Sequence, residues 1–195
     1  LITMQNDLIQ HLSNYIKLSD ENTTLILNHS ELKHYKASDF FIESGDKCDQ
    51  MAFLISGVFR FCFMDLKGNE ITSYFMKEND FVCNITSFFE FSVSSGSIQA
   101  ETNCEVIQFS RASWDLFCAE IPEWENSFQK IVNETLVNKI NFQRSLLNLD
   151  AKDSYLKFLK TYPSILQRVP LNHVASFLGI TPFSLSRIRK SIAII

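Results

Sequence analysis

The sequence has 195 residues, 46% hydrophobic and 13% aromatic, with 18 Lys and Arg against 22 Asp and Glu for a formal charge of -4. Five Gly and four Pro beside 18 Phe exclude a collagen-like or unfolded low-complexity chain and leave apolar material for one large core or two small ones. The longest apolar stretch, residues 51–64, is broken by Arg60 and is shorter than the roughly 20 residues of a spanning helix, and no basic start leads into an apolar run. No membrane partner is therefore expected, and a cytoplasmic location is.

Apolar residues recur at helical spacing over 5–17 and 20–28, which predicts two short entrance helices. Gly45, Gly57, Gly68 and Gly96 then punctuate short alternating or β-branched segments, and strands are predicted over 32–36, 40–43, 51–55, 58–64, 70–76, 81–85, 97–102 and 105–109. The clearest is 58–64, where Phe59, Phe61 and Phe63 share one face and Arg60, Cys62 and Met64 the other. Regularly spaced short strands imply a small barrel or jelly roll.

After Ser110 the character changes. No Gly lies between Gly96 and Gly179 and no Pro between Pro122 and Pro163, which permits one long helix over about 123–148. At ~1.5 Å per residue it would span roughly 39 Å, more than a small barrel needs as a lid. Trp124, Phe128, Ile131, Val132, Leu136, Ile140, Leu146 and Leu147 cover more than one stripe of it, so two partners are needed. The same helix of a second chain would supply one of them. Phe128, Ile131, Val132, Thr135, Leu136 and Ile140 are the candidate dimerisation residues. Asp150, with Asp153 three residues on, caps a further helix whose surface carries Lys152, Lys157 and Lys160. The chain thus divides into a roll at 1–122, a long helix at 123–149 and a terminal module at 150–195.

The charge divides at the same place. Residues 1–150 hold 11 basic and 21 acidic side chains, whereas 151–195 hold seven basic side chains and one acid, Asp153. Concentrated cations of this kind suit a polyanion, although a solvated basic surface would look the same. Within that module, residues 170–192 read PLNHVASFLGITPFSLSRIRKSI. Val174, Ala175 and Leu178 face inward on a first helix, Gly179 ends it in a left-handed turn, Thr181 caps the next and Pro182 occupies its first position. Leu185, Ile188 and Ile192 form the inner face of that second helix, opposite Phe183, Ser186, Arg187 and Lys190. This is helix–turn–helix geometry with a cationic outer face, suited to double-stranded DNA. The candidate DNA-binding residues are Thr181, Pro182, Phe183, Ser184, Ser186, Arg187, Arg189 and Lys190.

In order, these features resemble the Crp/Fnr superfamily of transcription regulators: entrance helices, a cyclic-nucleotide-binding-type roll, a dimerisation helix and a helix–turn–helix. The run Met51-Ala52-Phe53-Leu54-Ile55-Ser56-Gly57 before Val58-Phe59-Arg60 resembles the family's roll hairpin. Residues 100–110 resemble its last roll strands, and Thr181-Pro182 with Leu185-Ser186-Arg187-Ile188-Arg189 resembles a Crp-like recognition helix. The resemblance implies an α+β fold with an N-terminal sensor roll, flanking helices, a long dimerisation helix and a C-terminal helix–turn–helix without a full wing. It also implies a homodimer that binds DNA, with RNA polymerase and an unidentified small effector as further candidate partners.

The departures bear on the effector. Members that bind cyclic AMP carry Gly-Glu and Arg-Ser pairs in a phosphate-binding cassette. Without gaps, those positions here are Cys83-Asn84 and Ser94-Ser95, so the phosphate-binding Arg and the ribose-binding carboxylate are both replaced. Losing a charge-assisted contact of this kind costs several kcal/mol at order of magnitude, and cyclic AMP is not expected to bind usefully. Phe183 replaces an acidic residue common on the recognition helix. The alternative reading is an effector-sensing or protein-interaction module with a vestigial DNA-binding domain. Cys48, Cys62, Cys83, Cys104 and Cys118 lack the close pairing of a zinc or iron–sulfur site and read as reduced thiols. The isolated His11, His29, His34 and His173 offer no haem site, and His173 reads as a helix-face residue. No cofactor, metal or catalytic residue is therefore expected, and no enzyme motif such as G-x-S-x-G, H-E-x-x-H or a P-loop is present.

Overall fold

The computed structural model describes residues 2–192, with side chains from Asp7 onward. Two entrance helices, α1 (Ile2–Leu12) and α2 (Asp20–Asn28), precede β1 (Glu31–Tyr35), β2 (Phe40–Ile42), β3 (Gln50–Ser56), β4 (Phe59–Met64), β5 (Glu70–Met76) and β6 (Phe81–Val82). After the short helix α3 (Ile85–Glu90), β7 (Ser97–Ala100) and β8 (Cys104–Ser110) complete the strands of the described residues. They form two antiparallel sheets, β1-β8-β3-β6 and β2-β7-β4-β5, facing each other as a roll. Gly57 makes the β3–β4 turn at φ +106°, where a Cβ would lie 2.5 Å from Cys104 Sγ and 2.6 Å from the Asn103 carbonyl oxygen. No other residue fits there without displacing backbone.

Three local expectations change. α1 stops at Leu12 instead of running to residue 17, because Ser13 and Asn14 turn their side chains back onto the Ile9 and His11 carbonyls. The strand predicted over 81–85 ends at Val82, since Asn84 caps α3 by accepting the Ser87 N–H at 3.1 Å. Three helices were also not anticipated: α3, α4 (Arg111–Glu120), capped by Ser110, and α7 (Pro163–Arg168).

The first core is aromatic. Phe53, Phe59, Phe88 and Phe117 are fully enclosed, Phe81 packs edge-on to Phe53, and Trp114 lies between Phe88 and Phe128. The long helix α5 (Trp124–Leu146) begins inside this core through Trp124, Phe128 and Ile131. The six candidate dimerisation residues consequently divide. Phe128 and Ile131 are buried against the chain's own roll and Val132 packs beside them, because the wider apolar stripe faces the roll. The Thr135 hydroxyl is spent on the Ile131 carbonyl. Leu136 and Ile140, together with Val137, point outward with 43%, 52% and 54% of their surface exposed.

A second core joins α5 to the terminal helices α6 (Ala151–Thr161), α7, α8 (Leu171–Phe177) and α9 (Pro182–Ile192). Phe142 of α5, Phe158 of α6 and Phe177 of α8 stack around Phe75 of β5, and Leu185 of α9 is fully buried. Asp150 caps α6 by accepting the Asp153 N–H at 2.8 Å.

Candidate functional site

The turn between α8 and α9 is built locally. Gly179 adopts φ +67°, and the Ile180 N–H reaches back to the Ala175 carbonyl at 3.0 Å, closing α8. Thr181 Oγ1 then accepts the Ser184 N–H at 3.0 Å, and Pro182 opens α9. With Leu185 buried and Ile188 and Ile192 packed inward, Thr181, Pro182, Phe183, Arg187, Arg189 and Lys190 lie exposed. Ser184 and Ser186 are half-buried at their margin. Three cations and no carboxylate therefore share this helix, and the Arg187 guanidinium sits 5.9 Å from the Phe183 ring, which is 72% exposed.

The cassette positions behave differently from one another. Cys83, Asn84 and Ser94 are buried together, whereas Ser95 is exposed. Asn84 Nδ2 donates to Ser94 Oγ at 2.5 Å and Ser94 Oγ donates to the Gly96 carbonyl at 2.5 Å, so both side chains are already engaged. Phe88 and Phe89 fill the space beneath α3, while Phe91 remains exposed against the Arg111 guanidinium. Cys48, in the loop before β3, places its sulfur 3.9 Å from that of Cys83. The bond from Cys83 outweighs burial and holds the Cys48 thiol at about 7, while burial pushes the Cys83 thiol far up.

Between the roll and α5 lies a narrow cleft lined by Met51, Tyr74, Met76, Cys83, Phe128 and Lys139 among others. Lys139 rests 3.4 Å above the Tyr74 ring. Burial lowers its ammonium to about 8 despite the opposing charge of Asp80. Among the described residues, no three His, Cys, Asp or Glu side chains converge as metal ligands, and no helix is long and apolar enough to cross a membrane.

A polar cluster that the sequence reading did not identify seats the terminal helices on the roll. Arg60 is 97% enclosed, its Nη2 2.6 Å from Glu70 and its Nε 2.9 Å from buried Glu101, an ion pair too poorly aligned to count as a hydrogen bond. Glu101 also receives His173 Nδ1 of α8 at 2.8 Å, so His173 is a helix-face residue held by a carboxylate. Ser176 of α8 accepts the Thr72 N–H at 2.9 Å and donates to the Glu70 carbonyl at 3.2 Å. Nearby, Arg168 of α7 grips Glu78 with both terminal nitrogens. The one sequence signal was an Arg alternating with Phe in a predicted strand.

The fold is a double-sheeted roll with a short helix in its cassette, followed by a long helix and a helix–turn–helix. Residues 32–120 match the cyclic nucleotide-binding domain family. The structure is similar to the c-di-GMP responsive global regulator CLP of Xanthomonas campestris, at TM-score 0.70 and 18% identity over 90% of this chain and 92% of that one. It is also similar to FixK2 of Bradyrhizobium japonicum, at TM-score 0.70 and 13% identity over 84% of each. The cAMP-activated global transcriptional regulator CRP of Salmonella typhimurium is 24% identical over 92 residues, 47% of this chain. That match spans only 44%, somewhat under half, of the curated relative's length. Residues 32–120 are thus similar to cyclic nucleotide-binding domains, and the fold of the chain is similar to that of Crp/Fnr-type regulators.

Proposed function

We propose that the protein is a DNA-binding transcription regulator that acts as a homodimer and does not use cyclic AMP. The observation that carries this reading is the exposed cationic face of α9, with Arg187, Arg189 and Lys190 projecting from a helix whose opposite side is anchored by buried Leu185. An Arg on such a helix can take guanine edges or phosphate, and Thr181, Ser184 and Ser186 suit phosphate oxygens. The outward Leu136, Val137 and Ile140 of α5 supply an apolar strip for a second copy. The two α9 helices would then enter successive major grooves about 34 Å apart.

The reading of the cassette rests on chemistry. Its four positions offer a thiol, an amide and two hydroxyls, with Asn84 and Ser94 bonded to each other, and supply neither a cation for a phosphate nor a carboxylate for a ribose. Calorimetry with cyclic AMP is expected to give no micromolar binding.

The test of the whole is selection of genomic DNA by the purified protein at near-physiological salt. A two-fold-related site whose retention falls steeply with salt supports it. Protection of a single half-site by a monomer, or no retention at any salt, overturns it. One observation favours a second reading, a protein-interaction module: Phe183, largely exposed at the start of α9, is an apolar anchor whose one aromatic or cationic neighbour among the described residues is Arg187.

A further inference from the structure

Four of the five cysteines are buried and Cys118 is exposed. Two of the buried ones stand apart from the rest. Cys62 lies against the Glu70 carboxylate and Cys104 is bonded to backbone carbonyls, whereas Cys48 and Cys83, 35 positions apart, face each other sulfur to sulfur at 3.9 Å. We propose that Cys48 and Cys83 are a redox-active dithiol, which a hydroperoxide converts to a disulfide beneath the cassette helix α3.

Four features support this. The sulfurs must close by only about 1.9 Å to reach the ~2.05 Å of a disulfide. Neither cysteine lies within a named strand or helix, since Cys48 precedes β3 and Cys83 follows β6, so the movement breaks no ladder. The two residues keep 5% and 6% of their surface, too little for a bulky reagent. Finally, Cys48 is the one thiol of the five that is lowered, by its bond from Cys83, which favours its thiolate, while Cys62, Cys83, Cys104 and Cys118 are all pushed up by burial.

The chemistry balances. Cys48, having released its proton to solvent, attacks one oxygen of hydrogen peroxide; the O–O bond breaks, giving a sulfenic acid and a hydroxide that takes up a proton to become water. The Cys83 sulfur then attacks the Cys48 sulfur, the S–O bond breaks, and the departing hydroxide takes the Cys83 proton as a second water. Two thiols lose two electrons and the peroxide gains them.

The bond would act on the cassette directly. Cys83 adjoins Asn84, the cap of α3, and the Cys48 N–H donates at 2.8 Å to Ser87 Oγ in the first turn of that helix. Oxidation therefore tethers both sides of the α3 N-terminus. This inference does not depend on DNA binding.

The experiment treats the 195-residue Cys118→Ser chain, which lacks the exposed thiol, with hydrogen peroxide and then blocks remaining thiols with an alkylating reagent under denaturing conditions. The expected result is a mass loss of about 2 Da before alkylation, two free thiols instead of four, and a peptide linking Cys48 to Cys83. Amide exchange across α3 should slow in the oxidised form. In Cys48→Ser protein, Cys83 should remain alkylatable after the same treatment. Retention of all four thiols, oxidation without the cross-linked peptide, or equal loss at Cys62 and Cys104 overturns the proposal, whether or not the Cys48→Ser variant folds.

Discussion

The pairing of Glu78 with Arg168 makes the attachment of the terminal helices to the roll dependent on pH. Burial alone would raise the Glu78 carboxyl. The two-pronged contact with Arg168, 3.0 Å at its longer arm, and the Gly57 N–H at 2.9 Å instead hold it at about 2, against an ordinary 4.5. A carboxyl depressed in the folded state contributes stability that is complete above its unfolded value and is lost as pH falls through 4.5 toward 2. At ~1.4 kcal/mol per pH unit the drop sets a ceiling of roughly 3 kcal/mol. With the side chains 33% and 30% exposed, solvent screens the pair. About 1–2 kcal/mol is therefore expected at pH 7, and more than half of it should be gone at pH 3. The assay is a double-mutant cycle on urea unfolding with Glu78→Gln, Arg168→Gln and the pair, run at both pH values. A coupling energy absent at pH 7, or equal at pH 7 and pH 3, refutes the reasoning.

Three further outcomes are expected. Gly57→Ala should lower the unfolding midpoint by the equivalent of several kcal/mol, because its Cβ meets backbone at 2.6 Å, whereas Gly68→Ala, at φ +80° in open space, should cost only about 1 kcal/mol. Thermal scans of the two variants side by side check this. Leu136→Glu with Ile140→Glu should convert a dimer to a monomer in sedimentation without altering the fold by circular dichroism, since both side chains already face solvent in the single chain. Arg187→Ala should weaken DNA retention and reduce the slope of log affinity against log salt by about one, if the side chain contacts phosphate. An unchanged slope together with unchanged sequence preference would remove Arg187 from the interface.

How much was legible depended on the distance over which each signal acts. The strand at Phe59–Met64 and the α8–α9 turn were readable because alternation, Gly179, Thr181 and Pro182 specify geometry within a few residues. The extent of the β5 face was not. Phe61 pairs with Tyr74 but Cys62 pairs with Thr72, so Ser73 is an extra residue that breaks the alternation. Thr72 is thereby placed on the outer surface beside Arg60 and Ser176. Nothing local in Glu70–Met76 announces that bulge. The stripe on α5 predicted two partners but not which residues would serve which, and Phe128 and Ile131 pack against the roll. The Arg60 cluster and the Cys48–Cys83 pair join residues dozens of positions apart, and a single sequence carries no record of such contacts.

The two cores share two walls, and this constrains any signal that passes between them. On β5, Tyr74 stacks on Phe61 within the roll while Phe75 packs outward on Phe158 and Phe177. On α5, Phe128 lies in the first core and Phe142 in the second, with Lys139 at the cleft between them. Fourteen residues of helix separate those two aromatics by about 21 Å and return them to nearly the same side, so the rod cannot tilt in one core without moving in the other. Around this apolar centre the seat is polar: Arg60, Glu70, Glu101, His173, Glu78 and Arg168. Arg60 with Glu101 is buried within the roll, whereas the pairs that reach the terminal helices, His173 with Glu101 and Arg168 with Glu78, leave the helix-side residue 22% and 30% exposed. Any ligand that moves α8 and α9 through α5 must favour one α5 position over another, whatever its affinity for both.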